Sequence, residues 1–406
     1  MPGAGGQIYA YDPSGHLRPG WPIQAPNGAG YEADSGYALA PDGGLLVATP
    51  TAITDIELTG EVHPGWPVSL PEGSGQILVQ PSGTIVIVQV APATSEAWVY
   101  ALTLAGDKPE RWSTRVPGNF SVGATLAAPD GTLFISGTDS AQRGSMVTLG
   151  SDGKQIASWS MGSWSAMAVT PASNLVVKAY DTKATTSGML EYNVLRTHVS
   201  LLDRNGKTLP GWPHLIDGPA SAPAVGPDGF LYFVLGNTVA TGSVLALDSS
   251  GNAEAGWPVK LPSGYAGVPG DQSAGHTNVS EPPIVANGLI YVAASTATGG
   301  QMIAAFKTSR GDHAGWVYQV PSDSRFTGST YVPAVAAPVG TLYVLEQTAP
   351  SSGAVVALGR EGSLLPGWPY DFSPGPLSLT VLADGGVGVS SMDFATRLTT
   401  SGSPPG

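Results

Sequence analysis

A four-stranded unit that recurs along the chain predicts an all-β fold, an eight-bladed β-propeller with four-stranded antiparallel blades. The first observation is a set of eight tryptophans spaced roughly 45 to 60 residues apart, which is the period of a propeller blade. They are Trp21, Trp66, Trp112, Trp159, Trp212, Trp257, Trp316 and Trp368. The second is composition, because 55 Gly and 36 Pro among 406 residues favour short strands and tight turns over long helices. A seven-bladed ring is the lesser alternative.

Each repeat contains the same segments in the same order. A first strand such as "SAPAVGP" is rich in small residues because the innermost strands crowd around the propeller axis. In the turn that follows, such as "PDGF", glycine supplies the positive φ of a tight hairpin. Apolar second and third strands, such as "LYFVLG" and "SVLALDSSG", are typical of strands covered on both faces. The tryptophan strand completes the repeat.

The tripeptide Gly-Trp-Pro occurs five times, around Trp21, Trp66, Trp212, Trp257 and Trp368. A large indole on the outer strand can fill the wedge that opens between blades away from the axis. Glycine before it permits close backbone approach, and proline after it removes a donor from an outer edge. We therefore predict that all eight tryptophans are structural and do not form a ligand-stacking platform.

The two ends of the chain are expected to complete one blade together. The chain begins with outer strands around Trp21, and residues 376–400 supply inner ones. Both "QIYAYDPSG" and "FATRLTTSG" match the third-strand pattern, so one of them must be displaced. No linker or shift in composition divides the chain, which predicts a single domain over 1–400 and a flexible tail over 401–406.

Charge and composition exclude several classes of partner. A formal charge of −13 with only 17 Lys and Arg argues against nucleic acid. The absence of Cys excludes disulfides and thiolate metal sites. No apolar run is long enough to span a membrane, and "MPGAGGQ" lacks signal-peptide features. From the low charge and the many small residues we nevertheless expect an exported, extracellular or periplasmic bacterial monomer.

The segments "LALDSSGNAEAGWPV" and "YALTLAGDKPERW" resemble the repeats of the PQQ-like, quinoprotein-dehydrogenase-like β-propellers, in which an Asp-x-x-Gly turn precedes a docking tryptophan. The resemblance covers essentially the whole chain. It implies the fold but selects no function, because this family includes dehydrogenases, assembly lipoproteins and sensor ectodomains. The vicinal cysteine pair of the alcohol-oxidising branch is absent, and no Asn/Asp/Glu set for calcium is evident. We therefore predict a non-dehydrogenase member without PQQ, and no other cofactor is predicted.

Loop length predicts where a functional site lies. Connections between strands one and two, and between three and four, are uniformly short. The long connections all belong to the other end of the blades, at 180–198, 262–283, 321–331 and 346–353. Extra loop length on one face is where binding and catalysis usually occur. We therefore predict an off-centre site on blades five to eight.

These segments contain His, Tyr, Arg and carboxylates in an otherwise weakly charged protein. His276, Tyr192 and Arg196 are the candidate catalytic residues if the protein is an enzyme. The candidate ligand-binding residues are Asp181, Glu191, His198, Tyr265, Asp271, Gln272, Asn278, Glu281, Arg325, Tyr331 and Glu346. Taken singly, each has an ordinary role as a solvated or strand-starting residue. Histidine with carboxylates could also ligate a divalent metal, although no spacing is diagnostic.

Two classes of function remain open. One is an exported binding or scaffold propeller that recognises a protein, peptide or glycan across blades five to eight. The other is a secreted carbohydrate-active enzyme, acting by uronate elimination or by cofactor-dependent sugar oxidation. In the elimination, Arg would neutralise the uronate and Tyr or His would move the proton. We favour binding, because no catalytic motif is recognisable and a rigid disc with variable loops needs none.

Overall fold

A computed structural model gives the structure of most of the chain. The residues it describes are 7–24, 37–49, 51–70, 74–91, 96–106, 114–116, 121–138, 144–162, 166–184, 192–238, 241–267, 276–277, 281–296, 298–308, 313–322, 325–326, 334–336, 340–349, 352–372, 376–381 and 385–391. Within these ranges the regular structure is entirely β-strand, and no helix is long and apolar enough to cross a membrane.

The first fourteen strands precede residue 163. They are β1 Gln7–Tyr11, β2 Ile23–Gln24, β3 Tyr37–Leu39, β4 Leu45–Ala48, β5 Ala52–Ile56, β6 Val68–Ser69, β7 Ser74–Val79, β8 Ile85–Ala91, β9 Glu96–Leu102, β10 Thr114–Val116, β11 Ser121–Ala127, β12 Leu133–Thr138, β13 Gly144–Leu149 and β14 Gln155–Ser160.

The strands that follow extend to the end of the described chain. They are β15 Ala166–Val169, β16 Leu175–Ala184, β17 Tyr192–Leu202, β18 His214–Asp217, β19 Ala224–Val225, β20 Leu231–Thr238, β21 Thr241–Leu247, β22 Val259–Lys260, β23 Tyr265–Gly267, β24 His276–Thr277, β25 Ile284–Ala286, β26 Leu289–Thr296, β27 Gln301–Lys307, β28 His313–Gln319, β29 Arg325–Phe326, β30 Ala334–Ala336, β31 Leu342–Ala349, β32 Ser352–Leu358, β33 Tyr370–Phe372, β34 Pro376–Val381 and β35 Val387–Ser391.

The chain divides into two compact units, the first comprising residues 1–162, 204–206 and 370–406. Its described strands form four antiparallel sheets. Sheet 1 has the order β2–β1–β35–β34, sheet 2 the order β3–β4–β5–β6, sheet 3 the order β10–β9–β8–β7, and sheet 4 the order β11–β12–β13–β14. Each has the up-and-down order of a propeller blade.

The second unit comprises residues 163–203 and 207–369 and contains four more sheets. Sheet 5 has the order β15–β16–β17–β18 with β24 added to β17, and sheet 6 has the order β19–β20–β21–β22. Sheet 7 has the order β23–β26–β27–β28 with β25 also paired to β26, and sheet 8 has the order β29–β31–β32 with β30 also paired to β31. The predicted all-β propeller fold is therefore confirmed at the level of its repeating sheet.

Sheet 1 joins the two ends of the chain, as predicted. Strand β1 pairs antiparallel with β35, for example Tyr9 with Val389. The third position of this sheet is therefore taken by β1, which resolves the competition between the two third-strand candidates. Residues 392–406, which include the predicted tail, lie outside the described residues, and the single-domain assignment stays a prediction.

The cores of the sheets follow the predicted apolar pattern. Strand β4 is buried along its whole length, and Val86, Val99 and Val147 are buried in one cluster between sheets 3 and 4. Strands packed on both faces need no polar alternation, which explains the continuous apolar runs.

Five of the described tryptophans dock onto the repeat that follows them in the chain. The indole Nε1 atoms of Trp21, Trp66, Trp212 and Trp316 donate to the carbonyl oxygens of Leu58, Leu104, Ser249 and Arg360, at 2.8–3.0 Å. Each acceptor lies two residues before a positive-φ glycine in the turn after the third strand. A Cβ on Gly206 would lie 2.5 Å from the Trp159 ring, and one on Gly362 would lie 2.3 Å from the Trp316 ring. The turn glycine is needed because the ring rests against it.

This geometry corrects the predicted placement of the five Gly-Trp-Pro tryptophans. They lie in the turn before the outer strand and not within it, because a ring in the turn can reach the following repeat. The glycine before Trp21 does permit close approach, since a Cβ on Gly20 would lie 1.9 Å from the carbonyl oxygen of Thr59. All five Trp–Pro peptide bonds are cis. Trp112 lies outside the described residues.

Two of the predicted long loops are largely strand. Residues 180–184 and 192–198 belong to the long hairpin of β16 and β17, and 346–353 is mostly the hairpin of β31 and β32. The sequence pattern marks these segments as loops because their polar residues interrupt the apolar runs. Strand pairing nevertheless continues through them, since the backbone groups bond across each hairpin.

Candidate functional site

The connection that follows β23 leaves sheet 7 and adds a strand to sheet 5. Strand β24 pairs in parallel with the start of β17, placing Tyr192 opposite His276 and Asn193 opposite Thr277. The chain then returns to sheet 7 at β25. This excursion joins two sheets that are not consecutive, and it brings two of the three candidate catalytic residues to neighbouring backbone positions.

Strands β18 and β24 share one edge of β17. Strand β18 pairs with β17 from Arg196 to Val199, and β24 pairs with it from Tyr192 to Asn193. Between them lies a bulge, where the register between β16 and β17 shifts and Leu195 is the extra residue. The Gly218 N–H donates to the Leu195 carbonyl oxygen at 2.9 Å, so the backbone remains satisfied. Bulges commonly redirect side chains beside functional sites.

One face of this part of sheet 5 combines charged and apolar groups. Asp181, Arg196 and Asp217 form one cross-strand row, and Ala179, His198 and Leu215 form the next. We call the group Asp181, Leu195, Arg196, His198, Leu215 and Asp217, exposed except for the half-buried His198, the β17 patch.

Two polar contacts organise the β17 patch. His198 Nε2 lies 2.8 Å from Asp181 Oδ2, and Arg196 Nε lies 3.5 Å from Asp217 Oδ1. Leu195 and Leu215 are 57% and 49% exposed, so the ion pairs lie beside unshielded apolar side chains. Carboxylate contact orients the imidazole of His198, and the loose contact of Arg196 leaves its guanidinium accessible. Such a surface can bind an anionic, polar or partly apolar ligand.

The opposite face of the same strands buries a lysine. Lys178 Nζ donates to the carbonyl oxygen of Ala220 at 3.1 Å and to the Tyr180 hydroxyl, which itself donates to Ala220 at 3.0 Å. Burial lowers the pKa of Lys178 to about 7, because removal from water disfavours the charged amine.

The remaining described candidates are not members of the β17 patch. The Tyr265 hydroxyl donates to Gln319 Oε1 at 3.2 Å. Glu281 is buried, and Arg325 lies opposite Gln347 on β31. Glu346 is buried as well, contrary to the expectation of a loop residue, and its Oε1 accepts from the Tyr318 hydroxyl at 2.9 Å. Burial, together with Glu346, raises the pKa of Tyr318.

Five candidates fall outside the described residues. These are Glu191, Asp271, Gln272, Asn278 and Tyr331. Of the three candidate catalytic residues, Arg196 belongs to the β17 patch, and Tyr192 and His276 lie at the strand pairing beside it.

Sequence reasoning overlooked several polar residues on strands. Lys178 interrupts the apolar strand "NLVVKAYD", and Asp55 interrupts "TAITDIEL", so a charge within a predicted core strand was the available signal. Leu195 and Leu215 gave no such signal. Their exposure depends on the bulge and on the edge position of β18, which the local sequence does not specify.

The repeated antiparallel sheets define this chain as an all-β propeller protein. No family model matches it, and no curated protein matches it. Among solved structures it is similar to the β-propeller domain of the Trilobed protease from Pyrococcus furiosus, at 11% identity over 82% of this chain and 97% of that chain, with a TM-score of 0.46. It is similar to a protein of unknown function from Bacteroides caccae, at 13% identity over 68% of this chain and 93% of that chain, with a TM-score of 0.35.

A third similar structure is prolyl oligopeptidase B from Galerina marginata, at 10% identity over 73% of this chain and 43% of that chain, with a TM-score of 0.46. The chain thus matches less than half the length of that enzyme. At these identities the likeness concerns the fold alone.

Proposed function

We propose that this protein is a binding propeller that recognises a protein, peptide or glycan through the β17 patch and the excursion that contains β24. The observation that carries the proposal is the pairing of β24 with β17. A connection that leaves its own sheet to lengthen another sheet builds surface that the repeat itself does not require. That surface adjoins exposed leucines and both signs of charge.

The chemistry of the β17 patch favours a ligand with mixed character. Its leucines provide apolar contact area, while Arg196 and His198 can donate hydrogen bonds and the two aspartates can accept them. A rigid sheet holds these groups at fixed spacing, which limits the ordering cost of binding.

The test is a screen of the purified protein against a polysaccharide array and a displayed peptide library, with a matched pair of variants. Leu195→Asp combined with Leu215→Asp places charge in the β17 patch without touching the core. Leu364→Asp changes an equally exposed leucine, 45% exposed, in the turn after β32. We expect every reproducible ligand to bind the patch variant at least about tenfold more weakly, which is about 1.4 kcal/mol.

The control variant should retain wild-type affinity. Ligands that bind the patch variant and wild type equally would contradict the proposal. Circular dichroism and melting temperature should be the same for all three proteins, because the substituted side chains are exposed.

The pair of His198 and Asp181 supports the alternative of a carbohydrate-active enzyme. An imidazole oriented by a carboxylate is suited to act as a general base, and Arg196 could neutralise a uronate. A panel of polyuronates assayed for unsaturated products tests this alternative. His198→Gln should abolish turnover if the alternative holds, whereas Leu215→Asp alone should then affect KM more than kcat.

Three broader features belong to the same proposal. We propose that the eight described sheets close into one eight-bladed ring, with seven blades as the alternative. The repeat pattern supports membership of the PQQ-like propellers without the quinone. The low charge and abundance of small residues support an extracellular or periplasmic location.

A further inference from the structure

Sheet 2 contains a cluster of carboxylates around one histidine, at the end of the sheet with the short turns. His63 Nδ1 lies 3.6 Å from Asp42 Oδ2, 3.9 Å from Asp55 Oδ2 and 3.5 Å from Glu57 Oε1. These separations exceed ordinary hydrogen bonds. They approach the spacing of about 3.3 Å between neighbouring ligand atoms of a tetrahedral ion with bonds of about 2.0 Å.

Asp55 is the unusual member of the cluster. It is fully buried, and neither carboxylate oxygen has a hydrogen-bond partner among the residues that the structure describes. Within the same described part of the chain, His63 Nδ1 is also buried and has no hydrogen-bond partner. A buried carboxylate without hydrogen bonds is costly, so native proteins normally pair it or use it to coordinate a metal.

A backbone hydrogen bond to one carboxylate oxygen of Asp42 leaves its other oxygen facing His63. Its Oδ1 accepts from the Gly44 N–H at 3.0 Å, while Oδ2 faces His63. Such a backbone contact is the type of support that orients metal ligands. A Cβ at Gly44 would lie 2.9 Å from Asp55 Oδ1, so glycine leaves room for that carboxylate.

Comparison with other repeats shows that the backbone around Asp55 and His63 is common to them, whereas the buried carboxylate and the histidine are particular to sheet 2. The backbone N–H of His63 donates to the carbonyl oxygen of Asp55, and four other repeats form the same backbone bond between residues of other types. The equivalent pairs are Arg18 with Ala10, Leu209 with Leu201, Glu254 with Ala246, and Leu365 with Ala357. Alanine or leucine therefore satisfies the fold at the position of Asp55, and packing alone does not require a carboxylate there.

We propose that Asp42, Asp55 and His63, with Glu57 as the fourth donor, bind one divalent transition-metal ion of the zinc type. One imidazole nitrogen with three carboxylates suits zinc better than calcium or magnesium, which prefer oxygen ligands alone. The side chains of Asp42 and His63 are 29% and 26% exposed, which gives the ion a path from solvent.

The test is calorimetric titration of the full chain, first treated with a chelator, with ZnCl₂, MnCl₂, CaCl₂ and MgCl₂. We expect saturable binding of one Zn²⁺, a higher melting temperature with zinc, and weaker binding of Ca²⁺ and Mg²⁺. Asp55→Ala and His63→Leu install residues found at equivalent positions, so both variants should fold, and both should lose the zinc site.

The matched control is His16→Leu. In the turn after β1, His16 Nδ1 lies 3.3 Å from Asp12 Oδ2. This exposed pair has no counterpart of the buried Asp55. We expect this variant to keep the zinc isotherm of the wild type. The absence of saturable zinc binding, its retention by both sheet 2 variants, or a preference for Ca²⁺ over Zn²⁺ would overturn the proposal.

Discussion

The amine of Lys178 is buried away from water. Lys178 is 2% exposed, and its amine donates to the Tyr180 hydroxyl and to the carbonyl oxygen of Ala220. The folded protein therefore favours the neutral amine, with a pKa of about 7 against the ordinary 10.5. The unfolded chain binds more protons than the folded chain between these two values, so this residue makes stability rise as pH rises from about 7 to 10.5.

Replacing Lys178 with Met should remove that dependence. At pH 6 the variant no longer buries a charge, so its free energy of unfolding should exceed that of the wild type. The difference should shrink as the pH approaches 10. Denaturant unfolding at pH 6, 8 and 10 measures it. Lys154→Met is the control, because the Lys154 side chain is 84% exposed. Parallel pH profiles for wild type and Lys178→Met would contradict the prediction.

The candidate residues could be predicted only in part. Asp181, Arg196 and His198 stood out as charges in a long polar segment, and the structure places them in adjacent rows of one sheet face. Their mutual contacts could not be predicted, because the bulge at Leu195 sets the register. Asp55 and His63 are separated by a turn, and their proximity results from the backbone bond that closes it.

At the scale of the element, the tryptophan turn is the unit that links one sheet to the next. In the second unit, Trp257 packs against Tyr232 with ring centroids 5.8 Å apart, and Trp368 packs similarly against Tyr343 at 5.4 Å. The aromatic pair covers the end of an apolar cluster that includes Val244 and Ile290. The ring therefore contributes both area and a specific contact.

Trp257→Ala should destabilise the protein by about 3–5 kcal/mol, as for other buried large-to-small changes. Affinity per folded molecule should remain unchanged, because the ring is only 7% exposed. Denaturant unfolding gives the first quantity, and titration of the folded fraction gives the second. Leu364→Ala, at an exposed site, should change stability by less than about 0.5 kcal/mol. A variant with normal unfolding but lost binding would contradict a structural role for Trp257.

Strand order within each sheet could be predicted because every repeat has the same strand and turn segments in the same order. The parallel pairing of β24 could not. Two residues, His276 and Thr277, have no strand periodicity of their own, and their partner lies more than 80 positions away on β17. Pairing across such a separation depends on packing that local patterns do not encode.

At the scale of the whole molecule, the two chain ends depend on each other. Strand β1 has β2 on one side and β35 on the other, and Tyr11 packs on Tyr370 with ring centroids 5.4 Å apart. The N-terminal strands cannot complete a sheet alone, because they are only two and one of them has two residues.

Ending the chain at residue 375 should therefore lower the melting temperature and promote self-association through the freed edge of β1. Calorimetry and light scattering measure the two effects. A chain ending at residue 400, which lacks only the predicted tail, should behave as the full chain does. Equal melting temperatures for the two truncations would show that sheet 1 adds nothing to stability.

Because the repeats share one backbone, the zinc-type donor set of sheet 2 could be built at equivalent positions of another repeat. Sheet 6 already has Asp228 and Asp248 at the positions of Asp42 and Glu57, and Asp228 accepts from the Phe230 N–H as Asp42 does from Gly44. Ala246→Asp and Glu254→His would add the two missing donors, while Asp248 Oδ1 would still accept from the N–H groups of Ser250 and Asn252 in its own turn. Tyr232→Leu would release Asp228 Oδ2, which now accepts from the tyrosine hydroxyl. A duplicated scaffold can thus gain or lose an ion-binding role in one of its repeats through a few point changes, without alteration of its architecture.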